Sequence, residues 1–141
     1  MADGIIPDEG LSRECYRILT NPDTEFQQWQ LLLWVNNFIP TGAVTLADLV
    51  EASFTGYSRR ALQWDGWSVP TVAGGVATST QPTSQTWTNG NTGDVTVYGC
   101  AYYDPTYNVL RFVQRFDAGD IVAVNPGGTI TVTPAFSYRS Q

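Results

Sequence analysis

The chain has 141 residues, of which seven are basic and thirteen are acidic, and its formal net charge is −6. All seven basic residues are arginine, so the sequence has no histidine for acid–base or zinc chemistry and no lysine for a Schiff base or a phosphate-binding loop. The acidic balance also argues against duplex nucleic acid as a partner, because that binding depends on cationic side chains. We therefore expect a non-enzymatic protein that uses no cofactor.

The amino-terminal segment, residues 1–25, is predicted to be an arm with one short helix over residues 8–20. Apolar residues at positions 11, 15, 18 and 19 follow helical spacing, and Asp8 can cap the first turn. Arg13 and Arg17 should face water. The segment holds six of the thirteen acidic residues. We expect it to reach a neighbouring molecule through complementary charge, and the alternative is a helix that plugs one open end of the chain's β-sandwich.

Residues 26–141 predict a single β domain, because short apolar or alternating runs are separated by turn residues about every ten positions. We expect a β-sandwich or jelly-roll of about seven or eight antiparallel strands, and one or two helical turns over residues 45–52. The predicted strands cover residues 26–35, 60–64, 76–80, 86–88, 95–102, 109–116, 121–124 and 129–138.

Three turn signals refine this prediction. Residues 89–93 (Asn-Gly-Asn-Thr-Gly) have the composition of a tight hairpin turn, since glycine and asparagine tolerate a positive φ. A second turn is predicted from Asp104 to Asn108. Pro134 indicates that the last strand lies at an edge or carries a bulge, because proline cannot donate to a sheet ladder.

Cys15 and Cys100 follow no metal-ligand spacing, so we expect two free, buried thiols, with a single disulfide as the alternative. The longest apolar run is the five residues 31–35, far short of the roughly 18 that a membrane span needs. Residues 1–20 lack the apolar centre of a secretory signal. We expect a soluble protein that follows no export route.

The carboxylates that could carry chemistry lie beside glycine, proline or other turn residues, where aspartate is common for backbone reasons. A pair of them could cut a glycosidic bond without histidine, but the turn interpretation is favoured. Asp117 and Asp120 offer too few oxygen ligands for a dedicated calcium site. We therefore predict no catalytic, cofactor-binding or metal-binding residue. The turn carboxylates are Asp65, Asp94, Asp104, Asp117 and Asp120.

Two surfaces are candidates for partner contact. Tyr102, Tyr103 and Tyr107 flank the turn at Asp104 and are predicted to be exposed, whereas most other aromatic residues occupy alternating strand positions that a core would fill. The second candidate is the stretch 68–93, which holds no charged residue. It predicts either a flexible loop or a neutral surface that packs closely against a partner.

Residues 36–40 (Asn-Asn-Phe-Ile-Pro) are followed by Thr-Leu-Ala-Asp-Leu-Val-Glu-Ala-Ser-Phe-Thr-Gly-Tyr over residues 45–57 and by a Val-Tyr-Gly strand at 97–99. With the opening Ile-Pro-Asp-Glu-Gly at residues 6–10, this pattern resembles small structural proteins of bacteriophage and prophage virions. The resemblance implies a capsid decoration, or cement, protein with no catalytic residues.

From this resemblance we expect a homotrimer on the outer surface of the capsid, where it bridges and stabilises major capsid subunits. Its partners would be copies of itself and the major capsid protein, with no membrane and no direct nucleic-acid contact. Arg13, Arg17 and the three tyrosines are the expected contact residues. The alternative is a tail or fibre component whose exposed aromatic rings bind a glycan receptor. An enzyme acting on polysaccharide ranks last.

Overall fold

The computed structural model describes residues 8–20, 29–62 and 67–139, apart from some side chains of the helix. Within these ranges the chain is mainly β, with antiparallel sheets, which confirms the predicted fold class. The helix α1 spans Asp8–Thr20, as predicted. The strands are β1 (Gln30–Trp34), β2 (Arg60–Ala61), β3 (Thr71–Ala73), β4 (Val76–Thr80), β5 (Gln85–Thr88), β6 (Val95–Thr96), β7 (Gly99–Asp104), β8 (Val109–Arg115), β9 (Ala123–Val124), β10 (Thr129–Val132) and β11 (Ala135–Arg139).

The chain divides into two compact units, each assembled from separate stretches of sequence. Unit 1 combines residues 1–27, 63–84 and 133–141, and unit 2 combines residues 28–62 and 85–132. This division differs from the predicted one between an arm over 1–25 and a domain over 26–141. The reason is that α1 packs on strands that come much later in the chain.

In unit 1, α1 covers one face of the antiparallel sheet β11-β4-β3. Ala77, Ser79 and Phe136 are the buried residues of the sheet, and Cys15 of the helix is fully buried. The hydroxyl of Ser12 donates to the carbonyl oxygen of Pro70 at 3.1 Å. The helix therefore packs on a face of the chain's own sheet, whereas the alternative expectation placed it at an open end of a sandwich.

Unit 2 contains the four-stranded sheet β2-β1-β7-β8 and two two-stranded pairs, β10-β5 and β6-β9. The apolar run 31–35 supplies β1, which lies between two neighbours and is buried on both faces. Leu32, Trp34, Leu49 and Ala101 form the centre of one core cluster. A strand that is buried on both faces needs apolar side chains at successive positions, without alternating polar ones.

Several strand predictions are confirmed in position. The predicted strands at 76–80, 86–88 and 109–116 correspond within one residue to β4, β5 and β8, whereas the predicted strand at 95–102 is divided into β6 and β7. The predicted strand at 129–138 is divided before Pro134 into two strands, β10 and β11, which belong to different sheets. The predicted helical turn over 45–52 is reduced to a single 3-10 turn at Leu46–Asp48. Residues 26–28 and 63–66 lie outside the described ranges.

The hairpin predicted at residues 89–93 is wrong. Strand β5 before it pairs with β10, and β6 after it pairs with β9, so the two flanking strands do not pair with each other. The turn at 104–108 does join the paired strands β7 and β8. Turn-forming residues occupy both places, but they do not decide which strand each neighbouring strand pairs with.

Both thiols are free and buried, as expected from the sequence. Burial raises the pKa of the Cys100 thiol to about 12 and also raises the pKa of the Cys15 thiol. A protonated, inaccessible thiol is a packing group rather than a nucleophile. In the described ranges, no helix has the length and apolarity to cross a membrane.

Candidate interaction surface

The turn between β7 and β8 is built around a buried carboxylate. Asp104 is fully buried. Its Oδ1 accepts a hydrogen bond from the Thr106 N–H at 3.0 Å. Its Oδ2 accepts from Arg111 Nη2 at 2.7 Å and from Nε at 3.0 Å. Asn108 completes the turn with a φ of 54°. Arg111 therefore neutralises the charge of Asp104, and both carboxylate oxygens accept hydrogen bonds. The role of Asp104 is to stabilise the turn.

The three tyrosines predicted to form an exposed patch differ in burial. Tyr102 is fully buried and stacks on Phe112 with ring centroids 5.0 Å apart, so the expectation that it is exposed is wrong. The physical reason is that β7 is a central strand, covered on both faces. Tyr103 is half-buried, and its hydroxyl donates to Asn108 Oδ1. Tyr107 is 49 % exposed.

The two arginines of the predicted contact set belong to α1. Arg13 is exposed. The side chain of Arg17 lies outside the described part of the helix. Both positions are in unit 1, whereas the tyrosines are in unit 2. The contact set predicted from the sequence is therefore divided between the two units, and Arg13 and Tyr107 are the members that we find exposed.

Sequence reasoning missed a feature of unit 2, in which the four arginines each lie over an aromatic ring. Such a contact stabilises the charged group and fixes its long side chain along a rigid surface. The sequence alone gives little indication of these contacts, because most of the arginines and their aromatic partners are distant in the chain. The contacts, with guanidinium to ring-centroid distances, are Arg59 over Tyr103 (4.8 Å), Arg60 over Trp87 (5.4 Å), Arg111 over Tyr107 (5.5 Å) and Arg115 over Tyr98 (5.4 Å).

A second carboxylate network joins Glu51 to β1. Arg59 donates to both oxygens of Glu51, at 2.7 and 2.8 Å, and the Tyr57 hydroxyl donates to Glu51 Oε1 at 2.8 Å. The same hydroxyl accepts from the Leu33 N–H at 3.3 Å. The hydrogen bond from Arg59 lowers the pKa of Glu51, and burial raises the pKa of Tyr57. The charged and polar groups of this network bond to one another, so we assign the network a structural role.

The strongest candidate for partner contact is a neutral sheet face in unit 2, which we call the threonine face. It consists of the exposed residues Thr86 and Thr88 on β5 and Thr129 and Thr131 on β10. Cross-strand register places Thr129 opposite Thr88 and Thr131 opposite Thr86, with 3.0 Å between the hydroxyl oxygens of the latter pair. The alternating residues Trp87 and Ile130 are buried behind it.

The threonine face belongs in part to the uncharged stretch 68–93. That stretch forms β3, β4 and β5, so the flexible-loop interpretation is wrong for its described residues. In unit 1, the outward residues Thr78 and Ser137 also face each other across the sheet, with 3.4 Å between hydroxyl oxygens. Regular strands with short hydroxyl side chains present a neutral surface whose contact with a partner desolvates no ion.

Two open pockets lie on unit 2. One, of about 380 Å³, lies between the loop 40–44 and residues 110–113 of β8. The other, of about 350 Å³, is lined by residues that include Ser53, Asp94 and Tyr98. Over the described ranges, no group of three or more cysteine, aspartate or glutamate residues is placed to hold a metal ion.

The fold and these surfaces define a mainly β protein with neutral, hydroxyl-covered sheet faces. Comparison of the chain with protein-family models, with curated proteins and with solved structures found no match. Its function must therefore be argued from its own residues.

Proposed function

We propose that this chain is a non-enzymatic structural protein of a phage virion, which attaches to the outer surface of the capsid as a decoration protein. The observation that carries the proposal is the threonine face. Its four side chains are exposed and uncharged and stand on two hydrogen-bonded strands, and the nearby Arg60 guanidinium donates to the Thr86 carbonyl at 3.3 Å. A protein that works by adhesion needs a surface of this kind, because no ion is desolvated when it is covered.

The residues behind the phage resemblance support the same proposal through their positions. The side chain of Asn36 donates to the Asp48 carbonyl at 3.0 Å and accepts from the Val50 N–H at 2.9 Å. Glu51 belongs to the network with Arg59 and Tyr57. The residues that carry the phage resemblance therefore stabilise the fold of unit 2. A structural role of this kind is consistent with a protein that works by adhesion.

The proposed partners are further copies of the chain, as a homotrimer, and the major capsid protein. A trimer would bridge neighbouring capsid subunits and stabilise the shell by covering neutral surface on both molecules. The test is binding of the purified protein to isolated heads of the phage that encodes it, followed by electron cryo-microscopy of the decorated heads. Density on the head shell supports the proposal, and density confined to the tail contradicts it.

A charge placed on the threonine face tests which surface adheres. Thr129→Arg should abolish co-sedimentation with the heads, because a guanidinium must then be desolvated in the contact. Thr92→Arg is the matched control, since Thr92 is also exposed but lies outside the threonine face. Equal binding by both variants would remove the threonine face from the proposal. Melting curves of the two variants confirm that each is folded.

The tail or fibre alternative requires exposed aromatic rings. Trp87 is 1 % exposed, and its Nε1 donates to the Ser58 carbonyl at 2.8 Å, so its ring does not offer a stacking surface for a sugar. Tyr107 is the ring of the β7–β8 turn that retains substantial exposure. Glycan binding that disappears in Tyr107→Ala would favour this alternative over decoration.

A further inference from the structure

Strand β8 lies at one edge of the four-stranded sheet of unit 2. It is seven residues long, and within the described ranges it pairs with β7 on one side and with no strand on the other. All seven residues are exposed or half-exposed. Edge strands present unpaired backbone groups to other chains. Strand β8 has no proline, and its register with β7 shifts between Tyr102 and Tyr103, so residues 112–115 form the regular part of this edge.

The register identifies the backbone groups that point outward. The Phe116 N–H donates to the Tyr98 carbonyl at 2.9 Å, so this pair is hydrogen-bonded across β7 and β8. In an antiparallel ladder, hydrogen-bonded and non-hydrogen-bonded pairs alternate. Val113 and Arg115 occupy the intervening positions of the register. Their N–H and C=O groups therefore point away from β7.

The open pocket of about 380 Å³ lies along the same strand, between β8 and the loop 40–44. Pro40, Val44 and Leu110 supply apolar walls, and Arg111 supplies a charged one. When a peptide adds to a sheet edge, its backbone bonds give affinity and pockets for alternate side chains give specificity. The unpaired edge of β8 can supply the backbone hydrogen bonds of such a site, and the pocket can supply the side-chain specificity.

The charge of β8 indicates the chemistry of the added strand. Its two ionisable residues are Arg111 and Arg115, and it has no acidic residue. Arg115 donates to the Phe38 carbonyl at 2.8 Å and to Asn37 Oδ1 at 2.7 Å, both of which are neutral. Among the described residues, Arg115 forms no salt bridge with a carboxylate. Arg111 is already paired with the buried Asp104, so Arg115 is the cation of this edge whose charge no carboxylate of the described residues offsets.

Strand β8 of a second copy is disfavoured as the occupant, because it has no acidic residue to offer Arg115. An antiparallel pairing centred on Val113 would place Arg115 opposite Arg111 of the other copy, whose guanidinium is already bonded to Asp104. An extended segment with a carboxylate opposite Arg115 instead gives that guanidinium an opposite charge.

We propose that the outer edge of β8 binds an extended, acidic segment of a partner protein by adding it to the sheet as a fifth strand. The backbone of Val113 and Arg115 would pair with the segment, and Arg115 would select its carboxylates. The proposal goes beyond capsid decoration and holds for any partner with this segment. Its test therefore uses neither phage heads nor the threonine face.

The experiment is amide hydrogen exchange by NMR on the full chain, with short synthetic peptides as probes. One peptide alternates valine and glutamate, and its matched control alternates valine and lysine. With the glutamate peptide at about ten times its dissociation constant, the Val113 and Arg115 amides should exchange about tenfold more slowly. The Gln114 N–H points towards β7, so the peptide gives it no new hydrogen bond.

A second set of measurements uses variants to separate the effect of the Arg115 charge from that of backbone pairing. Arg115→Gln should weaken binding of the glutamate peptide, while Arg13→Gln, in an exposed arginine of α1, should leave it unchanged. Equal binding of the lysine peptide, or binding without slower exchange at Val113 and Arg115, would overturn the proposal. Slower exchange at these amides as the protein alone is concentrated would make a second copy the occupant and also overturn it.

Discussion

At the scale of single residues, Asn89 shows how one buried amide can hold a loop. It is fully buried, and its Nδ2 donates to the carbonyl oxygens of Gly93 at 3.0 Å and Val124 at 2.9 Å. Its Oδ1 accepts from the Asn91 N–H at 2.9 Å. The side chain thus ties the loop after β5 to β9, which explains why a turn-like sequence stands where no hairpin forms.

Asn89→Asp should destabilise the protein by about 3 kcal/mol, because a buried carboxylate would face two carbonyl oxygens in place of a donor. Urea denaturation at pH 7 measures the loss. Asn91→Asp is the matched control. Asn91 Oδ1 accepts from the Thr55 N–H at 2.8 Å, and a carboxylate can keep that bond, so the change should stay within about 0.5 kcal/mol. Similar losses in both variants would contradict the role assigned to Asn89.

Gly99 is a second position where one atom matters. A Cβ at this residue would overlap the Gln114 carbonyl oxygen and the indole ring of Trp34. Gly99→Ala should therefore cost about 1 to 3 kcal/mol through overpacking, seen as a lower melting temperature. Gly119→Ala is the control, since a Cβ there meets nothing within 4 Å. If Gly99→Ala melts with the parent, the close approach of β7 to Trp34 is wrong.

At the scale of elements, the segment 51–59 is held to β1 by the network of Glu51, Tyr57 and Arg59, and this attachment depends on pH. The Arg59 hydrogen bond lowers the pKa of Glu51 below its ordinary value of 4.5. A folded pKa below the unfolded one gives stability that is fully present above about pH 4.5 and is lost as the pH falls through the folded value.

The stability difference between pH 7 and pH 3 should therefore be smaller in Glu51→Gln than in the parent, because the variant has no carboxylate to protonate. Urea denaturation at the two pH values gives this comparison. Asp120→Asn, which alters an exposed carboxylate, controls for a change of charge alone. An unchanged acid dependence in Glu51→Gln would exclude the network as its source.

The elements also show which parts of the fold the sequence could predict. The β7–β8 turn is predictable because its stabilising bonds are local, from Asp104 to the backbone of Thr106. The pairing of β5 with β10 joins residues more than forty positions apart, such as Thr88 and Thr129, and no local pattern reports it. Alternation predicted the position of β7 but could not predict that Tyr102 is buried, because β7 is buried on both faces.

At the scale of the whole molecule, charge composition was the most informative property of the sequence for the candidate site. The uncharged stretch 68–93 pointed to a neutral surface, and the structure shows that its described residues form strands with outward hydroxyl groups. The cationic edge at Arg115 was not predictable, because its neutral partners, Asn37 and Phe38, are distant in the chain. The threonine face needed a pairing partner, β10, that only the fold supplies.

The same composition gives a prediction about assembly. Copies with a net charge of −6 repel one another, while the threonine face contributes no ion to a contact between them. If the proposed homotrimer forms through neutral surface, raising NaCl from about 0.05 to 0.5 M should strengthen it, because salt screens the repulsion and removes no attractive pair. Sedimentation equilibrium at the two salt concentrations measures the association constant. Thr129→Arg should weaken the trimer at both concentrations if the threonine face lies in the contact. An assembly that dissociates as salt is added would instead be held by ion pairs, which contradicts adhesion through neutral surface.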